Sequence, residues 1–368
     1  MRWWTPPRWQ VVALVGALAL VGVSAEAPRP LAAAPTVLVG ADSSPDPAST
    51  SPQITRVRFG SPQAISDAGV FIGQERGYFR EQGLDVEALP FQSGPDTIPA
   101  LASGELEVAG GTISIALLNA VERGIPLKMV ADKGNSRPGF EFSQLGVRRD
   151  LLDSGAVRDI LDLRGRRIAV ASLRSGAEAQ VAYVLRRGGL DVGEIELTPL
   201  GYPEMILAFG NRAIDAANII EPSLSAAVSQ GVVSTWEQGR SSAAFGGVYQ
   251  AATIVYSGQF AAQTDLARRF MVAYLKGVRA YNDAFVRGEG QSDVVRILTE
   301  NTPVRNPAAY TDMNMAGLDP DGRIAVQSLQ LDMAYFRQQG YYSGPITLES
   351  LIDPSFAEYA AQQLGPYR

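Results

Sequence analysis

The chain has no cysteine and no histidine in 368 residues. The first absence removes disulfides, thiolate metal ligands, cysteine nucleophiles and lipid attachment at an N-terminal cysteine. The second removes histidine-based triads, histidine-ligated zinc or haem, and histidine acid–base catalysis. Lysine is nearly absent too: only Lys128, Lys133 and Lys276 occur, and every other basic residue is arginine. Genomic base composition accounts for that bias, so arginine abundance by itself says nothing about ligands. The net charge of -6 argues against a broad nucleic-acid-binding surface.

The one long charge-free apolar run is "VVALVGALALVGV", residues 11–23, preceded by Arg2 and Arg8 and followed by the small residues of "SAEA". Its length suits a signal-peptide core and is short for a membrane span. Residues 1–27 are therefore expected to be a signal peptide, with an uncleaved anchor as the other reading. Both export the chain, to the periplasm or the cell surface. Residues 28–53, rich in Pro, Ser and Ala, are expected to form a flexible tether.

From residue 54 the apolar pattern alternates between strand and helix periods. Strands are expected at "ITRVRFG", "LDVEALPF", "LEVAGG" and "LKMVAD", with helices at "AGVFIGQERGYFREQG", "DTIPALASG" and "SIALLNAVERG" between them. A similar order follows from "RIAVAS" to "AIDAANII". Gly-Leu-Asp-Val occurs at residues 83–86 and again at 189–192, each time after a helical stretch. The repeated order predicts an α/β chain of two similar lobes built on mostly parallel sheets.

"FSQLGVRRDLL" (142–152) and "YQAATIVYSGQFA" (249–261) read as two crossover strands forming a hinge. Lobe 1 is thus expected at 54–141 and 259–368, and lobe 2 with the hinge strands at 142–258. The segment after residue 264 reads as largely helical and is expected to pack back on lobe 1.

Two lobes and two crossovers place a ligand in the cleft, at turns beyond the C-terminal strand ends. The turn "SLRSGAE" (172–178) sits between strand and helix. Its Ser172 and Ser175 either cap the helix or meet a ligand, and its Arg174 either faces solvent or binds an anion. Phe140 and Tyr249 flank the hinge, as core aromatics or as a ring clamp. Glu221 either caps and pairs within lobe 2 or accepts a ligand donor. Gly110-Gly111 reads as a tight turn.

Taken together, "GYFREQGLDVEALPFQSG", "PALASGELEVAGGT", "GIPLKMVAD", "LDLRGRRIAVASLRSGAEA", "NRAIDAANIIEPSLSAAV" and "LIDPSFAEYAAQQLG" resemble the substrate-binding proteins of ABC importers in the nitrate, sulfonate, taurine and thiamine-precursor group. The resemblance covers about residues 54–365. It implies the type II periplasmic-binding fold, cleft closure over a small anionic or heterocyclic ligand, and delivery to an ABC permease and its ATPase. It also implies a monomer with no catalysis, no cofactor and no nucleic-acid partner. Carried over by position, Ser61 and Gln63 would line the cleft after the first strand. Gly111 and Thr112 would open the second ligand loop. Ser175 and Gly176 would begin the helix that receives the ligand. Glu221-Pro222 stands where the family more often has Trp-Asp/Glu-Pro, with Ile220 in the aromatic position, a departure from a standard sulfonate pocket.

Two other classes compete. A pyrimidine-precursor-synthase-like enzyme on the same fold would depend on histidine and a cysteine-rich motif, both absent here. A sensor or ligand-presenting module would need a membrane signalling partner.

Overall fold

In the computed structural model the described residues are 54–310 and 313–368. The expected signal peptide and tether lie outside them. Among the described residues no helix is long and apolar enough to cross a membrane.

Ten strands of the described residues form two five-stranded sheets. β1 (Thr55–Ser61), β2 (Leu84–Pro90), β3 (Val108–Gly111), β4 (Leu127–Ser136) and β10 (Tyr249–Ser257) make the first, in the order β2-β1-β3-β10-β4. β5 (Ser143–Arg148), β6 (Arg167–Val170), β7 (Glu196–Pro199), β8 (Ala216–Ile220) and β9 (Val233–Ser234) make the second, in the order β7-β6-β8-β5-β9. β1 pairs in parallel with β2 and β3, and β6 in parallel with β7 and β8. In each sheet the fourth place is filled by an antiparallel strand, β10 or β5, that arrives from the other sheet. The two Gly-Leu-Asp-Val tetrapeptides lead into β2 and β7, the matching edge strands. The two similar lobes expected from the repeat are therefore two sheets of one topology.

The sequence explains which strands lie inside. β8 (AANII) is buried at every position, as a strand covered on both faces requires. The edge strand β2 (LDVEALP) exposes Asp85 and ends on Pro90, which has no N–H to offer a further strand. The helix Thr264–Val286 buries Phe270, Tyr274, Val278 and Tyr281 at three- and four-residue spacing and anchors the core beside the first sheet.

Three expectations need correction. The strand Tyr249–Ser257, assigned with 142–258 to lobe 2, belongs to the first sheet. It hydrogen-bonds β3 and β4 and buries Ile254, Val255 and Tyr256 there. The single helix expected over "AGVFIGQERGYFREQG" is two, Ala68–Glu75 and Tyr78–Glu81. The C-terminal segment does not keep to lobe 1. Its helix Val326–Gln338 reaches the second lobe, where Tyr183 Oη donates to the Leu331 carbonyl (2.6 Å) and Tyr335 Oη to Glu178 Oε1 (2.7 Å).

Candidate functional site

The cleft between the two sheets is walled by Ser66, Gly94, Thr112 and Lys133 from one side and by Phe142, Ser175, Gln180 and Asn218 from the other. The space it holds for a water-sized sphere is about 50 Å³, several times the roughly 10–15 Å³ that one water needs.

Among the described residues its one charged wall residue is Lys133, and local strand geometry puts it there. β4 and β10 pair Asp132 with Thr253 and Gly134 with Ala252, so Lys133 has no partner opposite it. Such a bulge re-aims a side chain out of the regular alternation. The lysine stem then crosses Gly110, where an added Cβ would come within 2.1 Å of Lys133 Cε. Gly110-Gly111 is therefore strand rather than tight turn, and its glycines serve close approach. A Cβ on Gly111 would meet the Gly94 Cα at 2.7 Å.

The ammonium ends in a buried polar cluster. Lys133 Nζ lies 2.7 Å from Asp67 Oδ1 and donates to Ser66 Oγ at 3.0 Å. Asp67 Oδ2 in turn accepts from Ser61 Oγ (2.8 Å) and from the Ala64 N–H (2.9 Å). Lys133 has three donors and these contacts engage at most two, so at least one has no partner among the described residues. Thr112 Oγ1, also on the wall, is buried with no hydrogen-bond partner among the described residues. A buried hydroxyl without a partner costs free energy that a bound ligand recovers.

The second lobe contributes neutral polar groups fixed by one another. Gln180 Oε1 accepts from Ser143 Oγ and from Asn218 Nδ2, both at 2.9 Å, and its amide donates to Ser241 Oγ. Phe142 and Ile220 add apolar surface. Burial raises the Tyr202 hydroxyl above the usual tyrosine range, so it stays neutral near neutral pH.

Of the residues singled out from sequence, Gly110, Gly111, Thr112, Ser172, Ser175 and Tyr249 stand on the cleft wall. Gly176 adjoins it, but its N–H donates to the Ile113 carbonyl (2.8 Å), and the Ile115 N–H donates to the Arg174 carbonyl (3.0 Å). The first N–H of each of these two helices is thus satisfied by the other's loop across the cleft. Ser175 Oγ donates to the Ser172 carbonyl (2.7 Å) and caps no helix. Tyr249 Oη donates to the Gly176 carbonyl (2.6 Å).

The others lie elsewhere. Arg174, in the left-handed region at φ 53°, sets its guanidinium 5.2 Å from the Tyr341 ring centroid, off the cleft wall. Ser61 supports Asp67 from behind. Gln63 borders a separate surface groove with Arg56 and Glu300. Phe140 packs under Arg137, 4.5 Å from its guanidinium, in the crossover between the sheets. Glu221 is fully buried and bonded to Ser225 and Asn314. Lys133 and Asp67 were missed. The available signal was a lysine at the end of an apolar strand in a chain that otherwise uses arginine.

A model of the family described as NMT1/THI5 like matches residues 65–283, more than half of the chain. The chain belongs to that family. Within the NMT1/THI5-like family it is 30% identical, over 181 residues, to a putative aliphatic sulfonates-binding protein of Bacillus subtilis (strain 168), a match covering 47% of this chain and 50% of the relative. It is 28% identical over 158 residues to the taurine-binding periplasmic protein of Escherichia coli (strain K12), covering 43% and 46%. The chain spans about half the length of the curated relatives it matches. The alkanesulfonate-binding protein of Xanthomonas axonopodis pv. citri, solved bound to MOPS, superposes with a TM-score of 0.65 at 19% identity, over 81% of this chain and 98% of that one. This likeness shows the fold, the periplasmic-binding architecture of two sheets around a cleft.

Proposed function

We propose that this chain is an exported solute-binding receptor that closes its two lobes over a small ligand and presents it to an ABC permease and its ATPase. The observation that carries the reading is Lys133: a buried ammonium at the cleft floor with a donor to spare. It favours a ligand with an anionic or strongly polar head. Phe142 and Ile220 give the rest of the ligand an apolar seat. The relatives named for sulfonates and taurine support an oxyanion head of this kind.

Catalysis has no support in this cleft. The sequence offers no histidine or cysteine. Asp67, the carboxylate beside the floor, is held by Lys133, Ser61 and Ala64. The wall hydroxyl of Ser175 is bonded to a carbonyl rather than to a base.

The deciding experiment is a thermal-shift and calorimetric screen of the purified chain against alkanesulfonates, taurine, nitrate, bicarbonate, pyrimidines and small aromatic acids. A binder that is lost in Lys133→Met, with folding intact, supports the reading. A binder retained at wild-type affinity in that variant moves the site elsewhere.

A further inference from the structure

Glu221 stands outside the cleft wall, yet it joins the two lobes. It follows β8 of the second sheet and is 0% exposed. Within its own lobe, Oε2 accepts the Ser225 N–H (2.9 Å) and Oε1 accepts Ser225 Oγ (3.0 Å). Two further bonds cross to the other lobe. Oε1 accepts the Asn314 N–H (3.3 Å), and the Glu221 carbonyl accepts the Ile65 N–H (3.3 Å). Ile65 follows β1. Asn314 belongs to a segment tied to β4, where Gly317 and Asn135 exchange backbone hydrogen bonds at 2.9 Å.

We propose that Glu221 is the clasp that holds the two lobes shut over the ligand. Opening the cleft carries the end of β8 away from both Ile65 and Asn314. The Ser225 bonds survive, because they lie within one lobe. Opening therefore removes the cross-lobe bonds and admits water to a carboxyl that closure had buried. The inference rests on the two-lobe closure proposed above.

The clasp makes closure sensitive to protons. Burial pushes the Glu221 carboxyl up to about 7 in the closed form, from an ordinary 4.5. A group whose pKa is higher in the closed form favours closure as pH falls, and that gain is lost as pH rises through about 7. Ser225, Phe142, Ile65, Asn314 and Tyr310 face it from the packed elements. Among these described residues only Tyr310 titrates, and burial raises its hydroxyl, so it stays neutral over the range concerned.

A chain without cysteine takes site-directed labels cleanly. Spin labels at Glu105→Cys and Leu207→Cys, exposed positions on either lobe, report the lobe separation of the full, ligand-free chain by pulsed electron resonance. The ratio of the short to the long distance should rise about tenfold from pH 8 to pH 6. Glu221→Gln should remove that pH dependence. Asn314→Pro, which deletes the cross-lobe donor and leaves Glu221 and Ser225 in place, should lower the short population at every pH. Two distances in a ratio that ignores pH overturn the clasp alone, as does pH dependence that persists in Glu221→Gln. One unchanging distance in all samples overturns the closure reading itself, and the clasp with it. The wild-type pH series decides the matter even where a variant does not fold.

Discussion

Lys133 and Asp67 form an ion pair at 2.7 Å with both side chains essentially shielded from water, 1% and 0% exposed. Removing one partner of such a pair leaves the other charge buried and alone. Lys133→Ala should therefore destabilise the chain by about 3–5 kcal/mol. The double variant Lys133→Met/Asp67→Asn should recover much of that stability while binding stays lost. Urea unfolding with calorimetric titration of the best ligand from the screen checks both. A double variant that binds like wild type would remove Lys133 from the site.

Gly110 holds the floor open for that lysine. In Gly110→Ala the new methyl would lie 2.1 Å from Lys133 Cε, so the stem has to move. Overpacking of this kind costs about 1–3 kcal/mol. Thermal unfolding should show the loss, and ligand affinity should fall with it because the ammonium is displaced. Unchanged stability and affinity would mean that the lysine stem takes another path.

Arg174 tests the sequence expectation most directly. A charge-assisted hydrogen bond to an anionic ligand would make Arg174→Ala lose about 1.5–3 kcal/mol of affinity. The guanidinium instead lies over the Tyr341 ring, so affinity should change by less than about 0.5 kcal/mol, as for other surface substitutions. Titration calorimetry separates the two values. A loss in the larger range would restore the arginine to the site.

Tyr249→Phe keeps the ring on the cleft wall and deletes the hydroxyl that donates to the Gly176 carbonyl across the lobes. The Gly176 carbonyl keeps its intrahelical donor, so losing this bond and the longer one to Asp332 Oδ2 (3.4 Å) should cost about 0.5–1.5 kcal/mol. Unfolding midpoints should show this destabilisation. A variant as stable as wild type would mean that the cross-lobe bond contributes nothing.

Stability should rise as pH falls from 8 toward 5. Burial raises the carboxyls of Glu141 and Asp332, and pushes Asp132 up to about 6 and Glu221 to about 7. Each binds a proton better in the folded chain than in the unfolded one. Their contribution is therefore full at low pH and is lost as pH rises through the folded values. Asp293 and Asp150 act oppositely: hydrogen bonds from Arg76 and Arg148 hold them below the usual range, and their smaller contribution is lost in stronger acid. The optimum should lie near pH 5, at about the point where these two trends cross. Urea midpoints from pH 4 to 8 test this, and a midpoint climbing steadily from 5 to 8 would refute it.

The α/β class, the two-lobed repeat and the bar against histidine and cysteine chemistry are all legible in the residue order and composition. These are local or compositional properties. Periodicity records which face of each element is buried, and the repeated Gly-Leu-Asp-Val marks equivalent edge strands. Where Tyr249–Ser257 pairs is visible in the folded chain alone, because strand partnership depends on contacts far apart in sequence. The fold settles the rest as well. It alone placed Lys133, since a bulge in the β4–β10 register, not strand alternation, turns that side chain to the cleft. It also set Arg174 and Glu221 apart from the cleft wall. A left-handed turn sends one toward Tyr341, and backbone donors from the opposite lobe claim the other. Those donors are brought together by folding, and no local pattern of residues encodes them.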